Sequence, residues 1–140
     1  MRMAEVERDG FELRSGEAVH IEHPDTFYIP AVRDRYTLVP GQYVKLLFEI
    51  HYVGADGQPA ERVERMWVLV AGREDDVYFG MLDNDPYSTR PGDGHYLTHG
   101  AEIPFLPGHV INIEDPPDNA ERMLREWKPP SRWPREDTDG

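Results

Sequence analysis

The chain has 140 residues, enough for one domain that buries about two-thirds of its unfolded surface, and its 27 acidic against 15 basic residues give a formal charge of -12. That balance repels a phosphate backbone and an anionic lipid surface, so no nucleic-acid partner and no membrane are expected, and a basic protein partner fits better. With no cysteine in the chain, disulfides, thiolate metal sites and Cys nucleophiles are excluded.

Residues 1–10 are polar and charged and read as a frayed start. They lack the apolar run of a signal peptide, and no later run reaches the ~18 apolar residues of a membrane span, which makes the cytoplasm the expected compartment. "FELR" and "EAVHIEH", separated by Ser15-Gly16, suggest a short hairpin. "TFYIP" is extended up to Pro30, and "AVRDRYTLVPGQ" has room for one helical turn before Pro40-Gly41.

The strongest local signal is "YVKLLFEIHYV". Val44, Leu46, Phe48, Ile50 and Tyr52 share one face and Lys45, Glu49 and His51 the other, the period of a strand buried on one side. Asp56-Gly57 then turns the chain into "RVERMWVLVAG". There Met66, Val68 and Val70 oppose Trp67 and Leu69, so both faces carry apolar groups and the strand is expected at the sheet centre. "VYFGML" is a third strand, and Gly80 inside it marks a bulge or a close approach of another segment. "HYLTH" and "AEIPF" read as short extended pieces, and "HVINIED" as a strand. After Pro116-Pro117, "DNAERMLREW" has the pattern of a helix packed on the sheet, with Asp118 as N-cap, Glu121 completing a capping box and Met123, Leu124 and Trp127 as its apolar stripe. Residues 128–140, rich in Pro and charge without periodicity, read as a disordered tail after a domain of residues 1–127. The expected fold is mainly β or α+β: a small, strongly bent antiparallel sheet or partly open barrel with one C-terminal helix.

The segment "GMLDNDPYSTRPGDG" crowds Asp83, Asn84, Asp85 and Asp93 together. It fails as a calcium loop: counted from Asp83, position five is Tyr87, six is Ser88 and twelve is Gly94, where oxygen ligands and a glycine belong. Turn formation accounts for it, since Asn84 and Asp85 before Pro86 can bond their own backbone and Pro91-Gly92-Asp93-Gly94 makes a second turn. A loop on a rigid sheet is also where binding residues collect. Asp83, Asn84, Asp85, Tyr87, Asp93 and Tyr96 are therefore the candidate binding residues. His95 and His99, with Asp93, are the candidates for a metal, although "HYLTH" brings both rings to one side only as a helix. His20 and His23 in "HIEH" fall on opposite faces of a strand.

No serine lies in a glycine elbow and no glycine loop has the phosphate-cradling form. No catalytic residue and no cofactor is assigned. Glu49 and Glu64 could face each other across the hairpin, a pair more readily explained as a solvated face. Tyr28, Tyr36, Tyr78, Tyr87, Tyr96 and Trp133 are too many for the core, and Tyr and Trp are favoured at interfaces.

"TFYIP", "PGQYVKLLFEI", "ERMWVLV", "GMLDNDP" with a later "PGD", and "HVINIED" together resemble a family of small uncharacterised bacterial domains. The likeness spans about residues 26 to 115 and rests on Glu64, Met66, Trp67, Val68, Gly80, Leu82, Asn84, Pro86, Gly92 and Asp93. The chain departs from the pattern at Gln42, where an acidic residue is expected, and in the insert "GHYLTHGAEIPFLPG". The resemblance implies no set activity, and relatives stand beside immunity proteins of toxin systems. The reading is thus a non-catalytic protein-binding module, immunity-like in one form. The alternative is a small metal-dependent or acid-base enzyme that uses residues 83–99.

Overall fold

The structure, a computed structural model, describes residues 1–135. Its elements in chain order are α1 (Val6–Asp9), β1 (Phe11–Leu13), α2 (Gly16–Glu22), α3 (Val32–Arg35), β2 (Tyr43–Val53), β3 (Pro59–Glu74), β4 (Val77–Leu82), β5 (Glu102–Phe105), β6 (Val110–Glu114) and α4 (Ala120–Glu126). No helix among the described residues is long and apolar enough to cross a membrane.

All strand pairs are antiparallel, in the order β1-β2-β3-β4-β5. β6 pairs with residues 43–46 of β2, on the same edge where β1 takes residues 48–50. Residues 106–109 are all that separate β5 at one edge from β6 at the other. So short a link requires the sheet to curl, and the result is the bent, partly open barrel that the alternation implied.

The alternation also sorts the faces. Val44, Leu46, Phe48 and Ile50 of β2 and Met66, Val68 and Val70 of β3 fill the concave side with Tyr78, Leu82, Ile103, Phe105 and Val110. On the convex side Leu69 and Met81 are covered by α4 through Ala120, Met123, Leu124 and Trp127. β3 is central because both its faces are needed. At Gly80 a Cβ would stand 2.3 Å from the Leu69 carbonyl oxygen, beside the register shift between Val70 and Gly72. The glycine marks both a bulge and a close approach.

Three expectations are corrected. "EAVHIEH" is the helix α2, not a strand: Ser15 Oγ accepts the Ala18 N–H at 3.1 Å and caps it, so only residues 11–13 pair with β2. "TFYIP" and "HYLTH" form no strand. α4 begins one residue later than expected, with Asn119 at the N-cap position and no side-chain cap bond.

Neither terminus conforms to the frayed start and the tail, as far as the described residues go. Trp133 is 2% exposed and packs edge-on against Phe11 and Tyr96. Its indole N–H donates to the Arg2 carbonyl at 3.0 Å, and the Arg2 guanidinium lies 4.5 Å over its ring. Arg2 also makes a two-pronged pair with Asp9, at 2.7 Å on each prong. That bond, against some loss of hydration, holds the Asp9 carboxyl below the usual range. Residues 131–135 cover the open edge of β5: the Glu102 N–H donates to Ser131, and the buried Glu102 carboxylate accepts from Arg135 and from the Trp133 N–H. The folded unit therefore continues past residue 127. Proline and charge signal disorder only when no apolar anchor is present, and Trp133 is that anchor. Residues 136–140 of the expected tail lie outside the described residues.

Candidate functional site

The loop after β4 is held by its own polar groups together with one side chain of β3. Asn84 Oδ1 accepts the Trp67 N–H at 2.6 Å, extending the β3–β4 ladder by a side chain. Glu64 of β3 reaches across to accept the N–H groups of Tyr87 and Ser88 and the Ser88 hydroxyl. Asp93 accepts the N–H groups of Arg90 and His95, which hold its carboxyl below the usual range although partial burial works the other way. The buried Thr89 hydroxyl donates to the Leu97 carbonyl at 2.7 Å. These carboxylates and amides satisfy backbone donors that the turn would otherwise strand.

The candidate residues of this stretch do not converge on one face. Tyr96 is an inner group, stacked on Phe11 at 5.7 Å, with its hydroxyl donating to the Glu102 carbonyl at 2.6 Å. Burial, reinforced by the Glu102 charge, pushes its phenol up. Tyr87 is exposed under the Arg62 guanidinium, 4.2 Å from its ring, and Asp85 is exposed. Asp93 meets His95 only through its backbone N–H, and Asp83 alone meets the side chain of another candidate: Oδ1 lies 3.0 Å from His99 Nε2, while Oδ2 accepts the Tyr43 hydroxyl at 2.6 Å. Burial, then Asp83, raises the Tyr43 phenol, which stays protonated. His99 borders a cleft of about 300 Å³ with Asp85, Pro86, Thr89 and Pro130.

The expected metal set is not assembled. Both His95 nitrogens are engaged, Nε2 with the carbonyls of Gly10 and His51 at 3.1 Å and Nδ1 with the Leu97 N–H. Among the described residues no three His, Cys, Asp or Glu side chains are grouped to hold a metal ion. Glu49 and Glu64 are not a facing pair either. The register places Glu64 opposite Phe48 and Glu49 opposite Val63, on opposite faces of the sheet. Glu49 instead binds Arg14 and then His51, in that order of effect, and both keep its carboxyl low.

Of the six aromatics too many for the core together, Tyr78 and Trp133 are buried, and Tyr28, Tyr36 and Tyr87 are exposed. Eight large apolar or aromatic side chains stand exposed among the described residues. Five of them, Ile21, Tyr28, Val32, Tyr36 and Val39, lie within residues 21–39. This excursion between β1 and β2 is no loose loop. Arg35, 2% exposed, donates to the carbonyls of Pro30 and Pro107 and to Glu17 Oε2, tying α3, α2 and the β5–β6 link together. Val32 and Tyr36, four residues apart, then share one side of α3.

The same excursion walls a groove of about 770 Å³. Residues 26–30 form one wall and Ile111, Asn112 and Ile113 of β6 the other. Lys45 and Arg65 enter it from the convex face of β2 and β3. The Lys45 ammonium lies 4.6 Å over Trp67, itself stacked on Tyr43 at 4.8 Å, and the Arg65 guanidinium lies 5.7 Å from Phe27. Among the described residues neither cation has a carboxylate partner, a state they share with Arg62 and Arg90, whereas Arg2, Arg14, Arg35, Arg73 and Arg135 each have one. The acidity of the whole chain thus does not describe this surface. A smaller cavity of about 510 Å³ is lined by Ser15, Glu17, Tyr36, Tyr78 and His109. Burial pulls the His109 imidazole down to about 4, against the opposing pull of Glu17.

Comparison of the chain with protein-family models, with curated proteins and with solved structures finds no match.

Proposed function

We propose that the chain is a non-catalytic protein-binding module whose contact surface is the excursion of residues 21–39 and the groove beside it. One observation carries this reading: five exposed apolar or aromatic side chains lie on a single segment that a buried arginine holds in place. Apolar groups gathered on an ordered segment, with polar surroundings, are what a protein interface needs, because ordering costs little on binding. An immunity protein that occupies a toxin is one form of such a module, in keeping with the resemblance of residues 26 to 115.

The test is co-purification of the tagged chain from its own cells, comparing the native chain with Val32→Ser/Tyr36→Ser and with Tyr87→Ser. A stoichiometric protein retained by Tyr87→Ser and lost by the double variant is the expected result. An empty capture, or a partner indifferent to the double variant, overturns the reading.

A second reading is favoured by the Asp83–His99 contact. A carboxylate that orients an imidazole beside a cleft is the arrangement of a general base. Turnover of an ester or phosphoester panel, lost in both His99→Ala and Asp83→Asn, would support it; no turnover disposes of it.

A further inference from the structure

We infer that the groove between β6 and residues 26–30 binds an extended acidic peptide segment. The inference rests on the binding-module reading and adds the chemistry of what is bound.

Charge complementarity is the first argument. In a chain with 27 carboxylate residues, Lys45 and Arg65 share one groove with no carboxylate partner among the described residues. Each is instead set against an aromatic ring, Trp67 for Lys45 and Phe27 for Arg65. An aromatic face steadies a cation without neutralising it, so both charges remain available to a ligand. Asp34 on the rim is the one carboxylate that lines the groove, and it pairs with neither cation. Within a Debye length, about 8 Å at physiological salt, the local cations outweigh the distant net charge.

The shape argues for a chain rather than a compact anion. Most of its lining comes as two runs of successive residues, 26–30 and 111–113, which suits a ligand that is itself a run of residues. β6 pairs only with β2 among the described residues. The Ile113 N–H is taken by the side chain of its own neighbour, Asn112 Oδ1, at 2.8 Å. A side chain stoppering an edge donor can turn aside when an incoming strand offers a carbonyl, the usual chemistry of strand addition. Alternate side chains of an added segment would point to one side, and long acidic ones on that side would reach over β6 toward Lys45 on β2 and, beyond it, Arg65 on β3.

The experiment titrates the full chain with a fluorescein-labelled octapeptide of alternating Glu and Val and follows anisotropy and backbone amide shifts. Saturable binding is expected, with the largest shifts at Ile113, Asn112 and residues 26–30. Lys45→Glu/Arg65→Glu should weaken binding about tenfold or more, while Arg122→Glu/Arg125→Glu on the exposed side of α4 should not. Equal losses in both variants, preference for a Lys-Val octapeptide, or shifts away from the groove overturn the inference. So does full competition by free glutamate or inorganic phosphate at the peptide's concentration, which would mark a simple anion site. Should the peptide fail while partner capture still depends on Val32 and Tyr36, the groove inference falls and the module reading stands.

Discussion

Glu64 holds Ser88 twice: one carboxylate oxygen accepts both the Ser88 N–H, at 2.9 Å, and its hydroxyl, at 2.6 Å, while the other accepts the Tyr87 N–H at 2.7 Å. A single side chain on β3 thereby fixes the loop that follows β4. Glu64→Ala leaves those donors without their partner and is expected to cost about 1–2 kcal/mol. Urea denaturation reads the cost, and hydrogen exchange of the Tyr87 and Ser88 amides should quicken. Unchanged exchange would mean that the loop is held by something else.

Trp133 closes the core from the end of the described chain. Trp133→Ala is expected to destabilise by about 3–5 kcal/mol, the range for emptying a large buried aromatic site. Because Arg2 packs on the indole and its carbonyl accepts the indole N–H, exchange protection near residues 1–10 should fall with it. A change below about 1 kcal/mol would show the site to be surface-like.

His109 sets a pH dependence. Its imidazole is held down to about 4 in the fold against an ordinary value of 6.5. Below 6.5 the unfolded chain takes up a proton that the folded chain refuses, so stability falls as pH drops from about 6.5 to about 4. The loss is on the order of 3 kcal/mol at most. His109→Gln, whose amide oxygen can accept the Leu106 N–H in place of Nδ1, should flatten the stability curve across that interval. Below it, the low carboxyls of Asp9 and Glu49 continue the loss in both proteins as each is protonated.

Much of the fold was legible because the signals were local. The alternation in β2 sorted Val44, Leu46, Phe48 and Ile50 from Lys45 and Glu49, and the turn at Asp56-Gly57 set up the hairpin whose register pairs Lys45 with Trp67. The same register puts Arg65 on the convex face beside Lys45, so half of the groove could have been found by folding the hairpin on paper. The rest depends on distant contacts. Trp133 is indistinguishable from a tail residue until Phe11 and Tyr96 are beside it, and Glu64 serves a loop 23 residues further on. α2 was misread for a nearer reason: Ser15 is a helix cap, but "EAVHIEH" carries the β-branched residues of a strand. In the Asp83–Asp93 stretch the expected turn chemistry is found at Asp93, which accepts two nearby N–H groups, whereas Asn84 accepts the Trp67 N–H instead of its own backbone and Asp83 meets Tyr43 and His99, so the polar groups present no joint site.

The most direct measurement is site-specific photo-crosslinking in living cells, with a benzophenone amino acid placed at Val32 in one protein and at Arg122 in another. The account predicts one discrete crosslinked protein from position 32, diminished by Arg65→Glu, and none from position 122. No crosslink from position 32, or the same species from both positions, would contradict it.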